Sequence, residues 1–144
     1  MMKKYLLCLF LICSLSTCTG DDELEPDQFP QKWQLVKMSG EMLNTETTGA
    51  DMAWQEYYIL NSDDTFTKLR EQDGILSEAS GSFEFVYSGE EEYLELNYPA
   101  ENDLIGNCEQ EPRERLVLKS DDRLLGTWSY CDGPGLEYKR VKLK

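Results

Sequence analysis

The chain has 144 residues, a length typical of a single domain, and its composition excludes several classes of function. Its 28 acidic residues outnumber 14 basic ones, and the net charge of −14 disfavours binding to nucleic acid phosphates or anionic lipid headgroups. The absence of histidine excludes Ser–His–Asp and Cys–His nucleophile pairs and the usual histidine-containing zinc sites.

Residues 1–17 are predicted to be an export signal. Lys3 and Lys4 precede an apolar run from Tyr5 to Leu15, which is too short to cross a bilayer as a helix. The run ends in Leu15-Ser16-Thr17-Cys18, which resembles the lipobox of bacterial lipoproteins. That resemblance implies cleavage before Cys18 and attachment of diacylglycerol to its sulfur. An ordinary secretory signal followed by a chance cysteine is the alternative.

Residues 18–31 are predicted to form a short, disordered acidic tether, since they are rich in Asp and Glu and contain little to bury. Removing Lys3 and Lys4 with the signal leaves 12 basic and 28 acidic residues, so the mature charge is −16. Membrane attachment would therefore come from acyl chains on Cys18. Acid soon after this cysteine resembles the signal that sends some Gram-negative lipoproteins to the outer face of the outer membrane; a solvated spacer is the alternative.

Two cysteines, Cys108 and Cys131, remain in the mature chain besides Cys18. Exported proteins fold in an oxidising compartment, which favours a disulfide between them. The bond would close a loop of about 24 residues and stabilise the fold by roughly 3 kcal/mol on the chain-entropy estimate. Two buried free thiols are the alternative.

Residues 32–144 are predicted to form one all-β domain. Runs with strand character alternate with turn formers such as Asp73-Gly74 and Ser120-Asp121-Asp122. The predicted strands are Lys32–Met38, Trp54–Leu60, Thr65–Glu71, Ser80–Ser88, Glu92–Tyr98, Arg113–Lys119, Arg123–Tyr130 and Leu136–Leu143.

Side chains alternate along these strands, as expected when one face of a sheet packs on a core. Shared faces carry the sets Phe83, Phe85 and Tyr87; Leu94, Leu96 and Tyr98; Leu116 and Leu118; and Tyr57 with Ile59. Eight strands in hairpin order can close on themselves, which removes exposed sheet edges. The connection from Ser39 to Ala53 is the long one, and it is predicted to be a lid or an insertion.

These features resemble the lipocalin-like domain of small bacterial lipoproteins. The resemblance rests on the early Trp33, the turn and aromatic in Asp63-Asp64-Thr65-Phe66, the strand start Gly81-Ser82-Phe83 and the final Tyr138-Lys139-Arg140. It implies an eight-stranded antiparallel up-and-down β-barrel whose closed end holds Trp33. By the same resemblance, Arg140 would lie across Trp33 as a cation over an indole face.

No catalytic motif, metal site or cofactor site is predicted. The acidic clusters Asp63-Asp64, Glu90-Glu91-Glu92 and Asp121-Asp122 all fall at turns, where solvated acids are common. The spacing of an EF-hand loop and a glycine-rich phosphate cradle are both absent. We therefore expect a protein that is not an enzyme.

Two functions remain. The first is a lipid-anchored binding lipoprotein of the cell envelope that holds a small apolar ligand at its open mouth, with Tyr57, Phe85, Leu96 and Trp128 as the predicted ligand-binding residues. The alternative is a barrel filled by its own side chains that binds a protein partner at the cell surface. The interior volume of the barrel would distinguish the two functions.

Overall fold

A computed structural model of the chain describes residues 24–40, 42 and 45–143. The predicted signal peptide and Cys18 lie outside the described residues. The strands are β1 (Gln31–Ser39), β2 (Thr47–Thr48), β3 (Gln55–Leu60), β4 (Thr65–Gln72), β5 (Ile75–Ser88), β6 (Glu91–Asn97), β7 (Arg113–Ser120), β8 (Arg123–Gly126) and β9 (Gly135–Val141). Two 3₁₀ turns cover Gly49–Asp51 and Trp128–Cys131.

Eight of these strands close into an antiparallel barrel, as predicted. From β3 to β9 each strand pairs with the next, and β1 pairs with both β3 and β9. The two-residue β2 pairs only with β1 among the described strands and extends the wall beyond β3. The described strands therefore form a single closed sheet, which leaves few sheet edges exposed to solvent.

Strand β5 shows the largest difference between predicted and observed strand length, and the turn before it is the reason. Asp73 and Gly74 both have positive φ, 53° and 76°, which is the backbone of a two-residue type I′ hairpin. Such a turn places Ile75 directly opposite Gln72, so β5 begins at Ile75 and not at the predicted Ser80. The β4–β5 hairpin is consequently longer than the sequence predicts.

The predicted strand Arg123–Tyr130 was too long. Strand β8 ends at Gly126, and the chain then turns through the 3₁₀ segment Trp128–Cys131. Asp132 follows in the left-handed region with φ of 71°, and the Gly133 amide donates to the Trp128 carbonyl. Trp128 and Tyr130 are two residues apart, as inward-facing residues of a strand would be, but the disulfide at Cys131 holds them in a turn.

A β-bulge allows strand β1 to direct apolar side chains into the core along its whole length. Trp33 and Leu35 point inward, and the pairing with β9 shifts register between Leu35 and Lys37. The extra residue, Val36, restores the alternation so that Met38 also points into the core.

The core contains both apolar and charged side chains. Its buried apolar residues include Trp33, Leu35, Leu60, Phe66, Phe83, Leu94, Leu96, Leu116, Leu124 and Leu136. On β3 the inward face carries Glu56, Tyr58 and Leu60, so the face shared by Tyr57 and Ile59 is the outer one. Tyr87 shares a strand face with Phe83 and Phe85 but lies at the strand end, 76% exposed.

The described part of the long connection lies against the barrel. Thr47–Thr48 pairs with β1, a 3₁₀ turn follows, and the Met52 side chain is buried in the core. This part of the predicted lid therefore forms a fixed piece of the barrel wall.

The predicted disulfide is confirmed. Cys108 and Cys131 are bonded, with their Cα atoms 5.6 Å apart. The bond joins the connection between β6 and β7 to the 3₁₀ turn after β8, so two segments at one end of the barrel are fixed to each other.

We expect the double variant Cys108→Ser/Cys131→Ser to melt about 5–15 °C below the parent, because the unfolded chain regains the closed-loop entropy. Thermal unfolding followed by circular dichroism measures the difference. The exposed Ser129→Ala provides a control in the same turn. Identical melting of parent and double variant, with two titratable thiols in the parent, would refute the stabilising role.

Candidate functional site

The interior of the barrel contains charged side chains where a carrier would hold its ligand. The charged side chains project inward from β3, β4 and β7. Tyrosine hydroxyls from β3, from β9 and from the residue after β6 contact them. We call this set the interior network: Glu56, Tyr58, Lys68, Arg70, Tyr98, Glu114 and Tyr138. Two carboxylates face two cations, so the network has no net charge.

Lys68 lies at the centre of the interior network and has no exposed surface. Its Nζ is 2.8 Å from Glu114 Oε1 and 3.4 Å from Glu56 Oε1. A third bond, 2.6 Å long, runs from Nζ to the Leu104 carbonyl. The ammonium thus has an acceptor for each of its three protons, which offsets the cost of removing it from water.

Glu56 is the second fully buried ion, and it is held from two further directions. Arg70, directly across from it on β4, donates Nε–H to Glu56 Oε2 at 2.5 Å. Tyr138 donates its hydroxyl to Glu56 Oε1 at 2.5 Å. The Arg70 guanidinium also lies over the Trp54 ring, 4.5 Å from its centroid, and donates to the Leu104 carbonyl. Strands β3, β4 and β9 are joined through this one carboxylate.

Glu114 anchors the loop that covers the barrel end. Its Oε1 accepts from the Gly106 amide at 2.6 Å as well as from Lys68. Its Oε2 accepts from the hydroxyls of Tyr58 and Tyr98. Because the Leu104 carbonyl and the Gly106 amide both bond to network ions, the connection between β6 and β7 is fixed across the interior.

The three tyrosines of the network resist ionisation. Burial raises the pKa of the Tyr58, Tyr98 and Tyr138 hydroxyls well above the usual value, and the neighbouring carboxylates Glu56 and Glu114 reinforce the shift. A phenolate there would lose its hydration and would face a carboxylate of like charge. The hydroxyls therefore act as hydrogen-bond donors.

The polar atoms of the interior network find their hydrogen-bond partners within the protein. Among the described residues, every buried side-chain nitrogen or oxygen except Trp54 Nε1 has a hydrogen-bond partner. Five clefts of about 210–770 Å³ open at the surface, and none of the five is lined by Glu56, Lys68 or Glu114. The largest lies between residues 24–31 and 140–143.

The four predicted ligand-binding residues lie in different parts of the molecule. Tyr57 is on the outer wall beneath Lys32, whose Nζ is 4.1 Å from the ring centroid. Leu96 is fully buried in the core, and Phe85 lies near Trp33 beside the tether. Trp128 is at the disulfide end, packed against Gly133 and Gly106. These four side chains do not line a common cavity.

Trp33 and Arg140 lie directly opposite each other on β1 and β9. The Trp33 indole N–H donates to Gln31 Oε1 at 3.1 Å. The buried Arg140 guanidinium donates to the carbonyls of Glu25, Pro26 and Gln28, at distances of 2.6–3.3 Å. Arg140 thus fixes the last part of the tether onto the barrel end, which we call the tether end.

The tether also contributes an aromatic contact. Phe29 packs against Phe83, with 5.9 Å between ring centroids, and Gln31 Nε2 donates to the Pro26 carbonyl at 2.7 Å. Residues 24–30 of the predicted tether therefore lie against the barrel.

Sequence reasoning missed the interior network, although a signal for it was present. Lys68 and Arg70 lie two and four residues after the apolar Phe66, so alternation places all three side chains on the same face of the strand. Glu114 has the parity of Leu116, and Glu56 that of Leu60. If alternate residues of each strand are assigned to the same face whether they are polar or apolar, two acids and two bases fall inside the barrel.

In the described part of the chain, no group of three or more Asp, Glu or Cys side chains is placed to hold a metal ion. No helix of the described residues is long and apolar enough to span a bilayer. Comparisons with protein-family models, curated proteins and solved structures found no match to this chain.

We expect Lys68→Met to lower the free energy of unfolding by about 3–5 kcal/mol, because it leaves buried carboxylates without their shared cation. Urea unfolding at pH 7 measures the change. Lys119→Met is the matched control, since Lys119 pairs with Glu91 on the exposed surface, and we expect a loss of about 1 kcal/mol or less. Equal losses in the two variants would show that the Lys68 pairs are energetically unimportant.

We also expect the protein to lose stability in alkali. Tyr58, Tyr98 and Tyr138 keep their protons at a pH at which unfolded tyrosines, with a pKa of about 10, release theirs. The stability that they contribute is complete below about pH 10 and falls above it, by about 1.4 kcal/mol per pH unit for each tyrosine. Urea unfolding between pH 8 and 11.5 measures the slope.

Tyr138→Phe should reduce the fall in unfolding free energy by about 1.4 kcal/mol per pH unit, which is the contribution of one proton. Tyr130→Phe is the control, because the Tyr130 ring is 72% exposed. A parent in which all tyrosines titrate normally in ultraviolet absorbance would contradict the expectation.

Proposed function

We propose that this chain is a lipid-anchored, non-enzymatic lipoprotein whose barrel is a scaffold for binding another protein. The observation that carries the proposal is the interior network, in which Lys68 is fully buried between Glu56 and Glu114. Between the two functions inferred from sequence, this arrangement favours the filled barrel with a protein partner over the carrier of a small apolar ligand.

The energetics of the interior support this choice. An apolar molecule placed among these residues would separate ions from their partners, and each buried ion left unpaired would cost several kcal/mol. Buried side chains that pack there, among them Tyr58, Lys68 and Tyr138, would also have to move. An outer-surface function leaves the network intact.

The same geometry argues against a paired-acid hydrolase. Two carboxylates acting on a glycosidic bond need the substrate between them. In this barrel Lys68 occupies the space between Glu56 and Glu114, and all three side chains are buried. The carboxylates hold a structural cation.

An acylated Cys18 would place the tether end of the barrel beside the membrane. Leu24 is the first described residue, six positions after Cys18, and an extended chain of six residues spans at most about 20 Å. Because Arg140 holds the tether carbonyls, acylation of Cys18 would keep the tether end of the barrel near the bilayer. The turn between β4 and β5 lies at the opposite end of β4 and would face away.

The described surface offers apolar and aromatic side chains to a partner. Ile75 and Leu76 are 68% and 64% exposed on the β4–β5 hairpin, and Tyr87 and Tyr130 are exposed at other sites. Aromatic and apolar side chains within a polar surround are common in protein–protein interfaces.

Native mass spectrometry of the full chain, extracted from the membranes of a Gram-negative expression host in mild detergent, tests the proposal. We expect a species that begins at Cys18, carries acyl chains and contains no noncovalent small molecule. The variant Cys18→Ala should leave the membrane fraction while keeping the parent's melting temperature. A stoichiometric small apolar molecule inside the barrel would overturn the proposal in favour of the carrier.

A further inference from the structure

One stretch of the barrel wall lacks a second strand neighbour among the described residues. Strand β5 pairs with β4 through Ile75–Ser82 but with β6 only through Ser82–Ser88. Residues 75–81 are therefore flanked by a strand on one side alone. We call the other side of this stretch the β5 edge.

The edge is open because β6 ends at Asn97, opposite Ser82 of β5, and does not continue beside Gly81. The Asn97 carbonyl oxygen comes so close that a Cβ at Gly81 would lie 2.0 Å from it, so only glycine fits. Tyr98 then turns inward to Glu114, and Pro99 has no amide hydrogen to donate. The chain continues across the barrel end instead of along β5.

Alternation determines which backbone groups face the β5 edge. The Phe83 amide donates to the Asp64 carbonyl, on the β4 side, so the odd-numbered residues of β5 face β4. The N–H and C=O groups of Leu76, Glu78 and Ser80 consequently point to the edge. Within the described residues, no strand pairs with residues 76–80 on this side, and no turn or loop amide or carbonyl bonds to these groups. They form a strand-addition template about 13 Å long at the usual rise per residue.

The charge beside the edge selects the partner. The hairpin from Thr65 to Ser82 has three exposed charged side chains, Glu71, Asp73 and Glu78, and all are acidic. Its two basic residues, Lys68 and Arg70, are buried in the interior network. A second copy of this chain would bring acid against acid at this edge, in a molecule whose net charge is −14.

We propose that the β5 edge, Leu76–Ser80, binds an extended basic segment of another protein as an additional β-strand. Main-chain hydrogen bonds to residues 76, 78 and 80 supply the affinity, and Lys or Arg side chains pair with the acidic residues of the hairpin. A surface groove of about 510 Å³ beside Gly81, lined by Thr67, Ser80 and Pro99, receives a side chain at one end of the added strand. This inference rests on the proposed function, because it names the surface and the partner class.

The test uses the full chain in mild detergent and an eight-residue peptide of alternating lysine and threonine. The control peptide has the same charge, but proline replaces three threonines, so it cannot extend a sheet. We expect the first peptide to slow hydrogen–deuterium exchange of the amides of residues 76, 78 and 80 at least about fivefold, and the control peptide to have no effect.

Two variants at one position separate the backbone from the charge. Glu78→Pro removes one amide that faces the edge and leaves the amides that face β4 in place. Sheets tolerate proline at such edge positions. Glu78→Gln keeps the amide and removes the charge. We expect Glu78→Pro to weaken binding of the lysine–threonine peptide at least about fivefold more than Glu78→Gln does, as measured by fluorescence anisotropy. Melting temperatures of both variants report on folding.

The possible results are distinct. Equal binding of the two peptides, or of the two variants, would overturn the inference in favour of attraction by charge alone. Self-association of the parent that Glu78→Pro abolishes would overturn it in favour of a second copy. If Glu78→Pro does not fold, a peptide N-methylated on alternate residues replaces it, and undiminished protection would refute strand addition. These outcomes concern the edge alone, whereas a small molecule found in the barrel would refute the proposed function.

Discussion

The ammonium of Lys68, held between the carboxylates of Glu56 and Glu114, is the interaction on which the rest of the structure depends. It joins the neighbouring strands β3 and β4 to β7, which pairs with neither of them, and the hydroxyls of the network join β9 and the end of β6 to the same carboxylates. Side chains of a strand alternate with a period of two, so a slip of one residue would carry these ions out of the barrel or leave them unpaired. The interior network therefore specifies the register of the barrel more strictly than an apolar core would.

Such a network need not add net stability. Replacing a buried ion pair by well-packed apolar groups is often neutral or stabilising, whereas removing one partner is costly. The ions here contact several elements each, which suggests that they are retained to define one arrangement. Lys68 and Arg70 both donate to the Leu104 carbonyl, and Glu114 accepts from the Gly106 amide. The loop that seals the barrel end is consequently part of the same arrangement, and the Cys108–Cys131 disulfide fixes the adjoining segment.

Strand order and closure could be predicted from the sequence because turn chemistry and alternation are local signals. Asp73-Gly74 predicted a turn correctly, and the runs around Leu94 and Leu116 identified their inward faces. The disulfide followed from the compartment that the signal implies. The face of β3 could not be read from its aromatics, because Tyr57 and Tyr58 are adjacent and only one of them can point inward.

The parts of the site that the sequence did not predict depend on long-range contacts. Glu114 is 46 residues from Lys68 and 56 from Tyr58, and nothing local indicates that these groups meet. The end of β8 depends on the bond from Cys131 to Cys108, and the start of β5 depends on the register of the hairpin. The ligand-binding set failed to converge for the same reason, since it was chosen from aromatic and apolar character without knowledge of which strands would be neighbours.

The opening of the β5 edge follows from the contacts that the chain after β6 makes with the interior network. Tyr98 must leave the wall to reach Glu114, and the chain after it crosses the barrel end so that Leu104 and Gly106 can contact the network. That path takes the chain away from β5 at Gly81 and leaves the backbone of residues 76–80 without a second strand neighbour in the described chain. The contacts that join this loop to the interior network thus also leave a strand edge without a second strand neighbour among the described residues, at the end of the hairpin away from the tether.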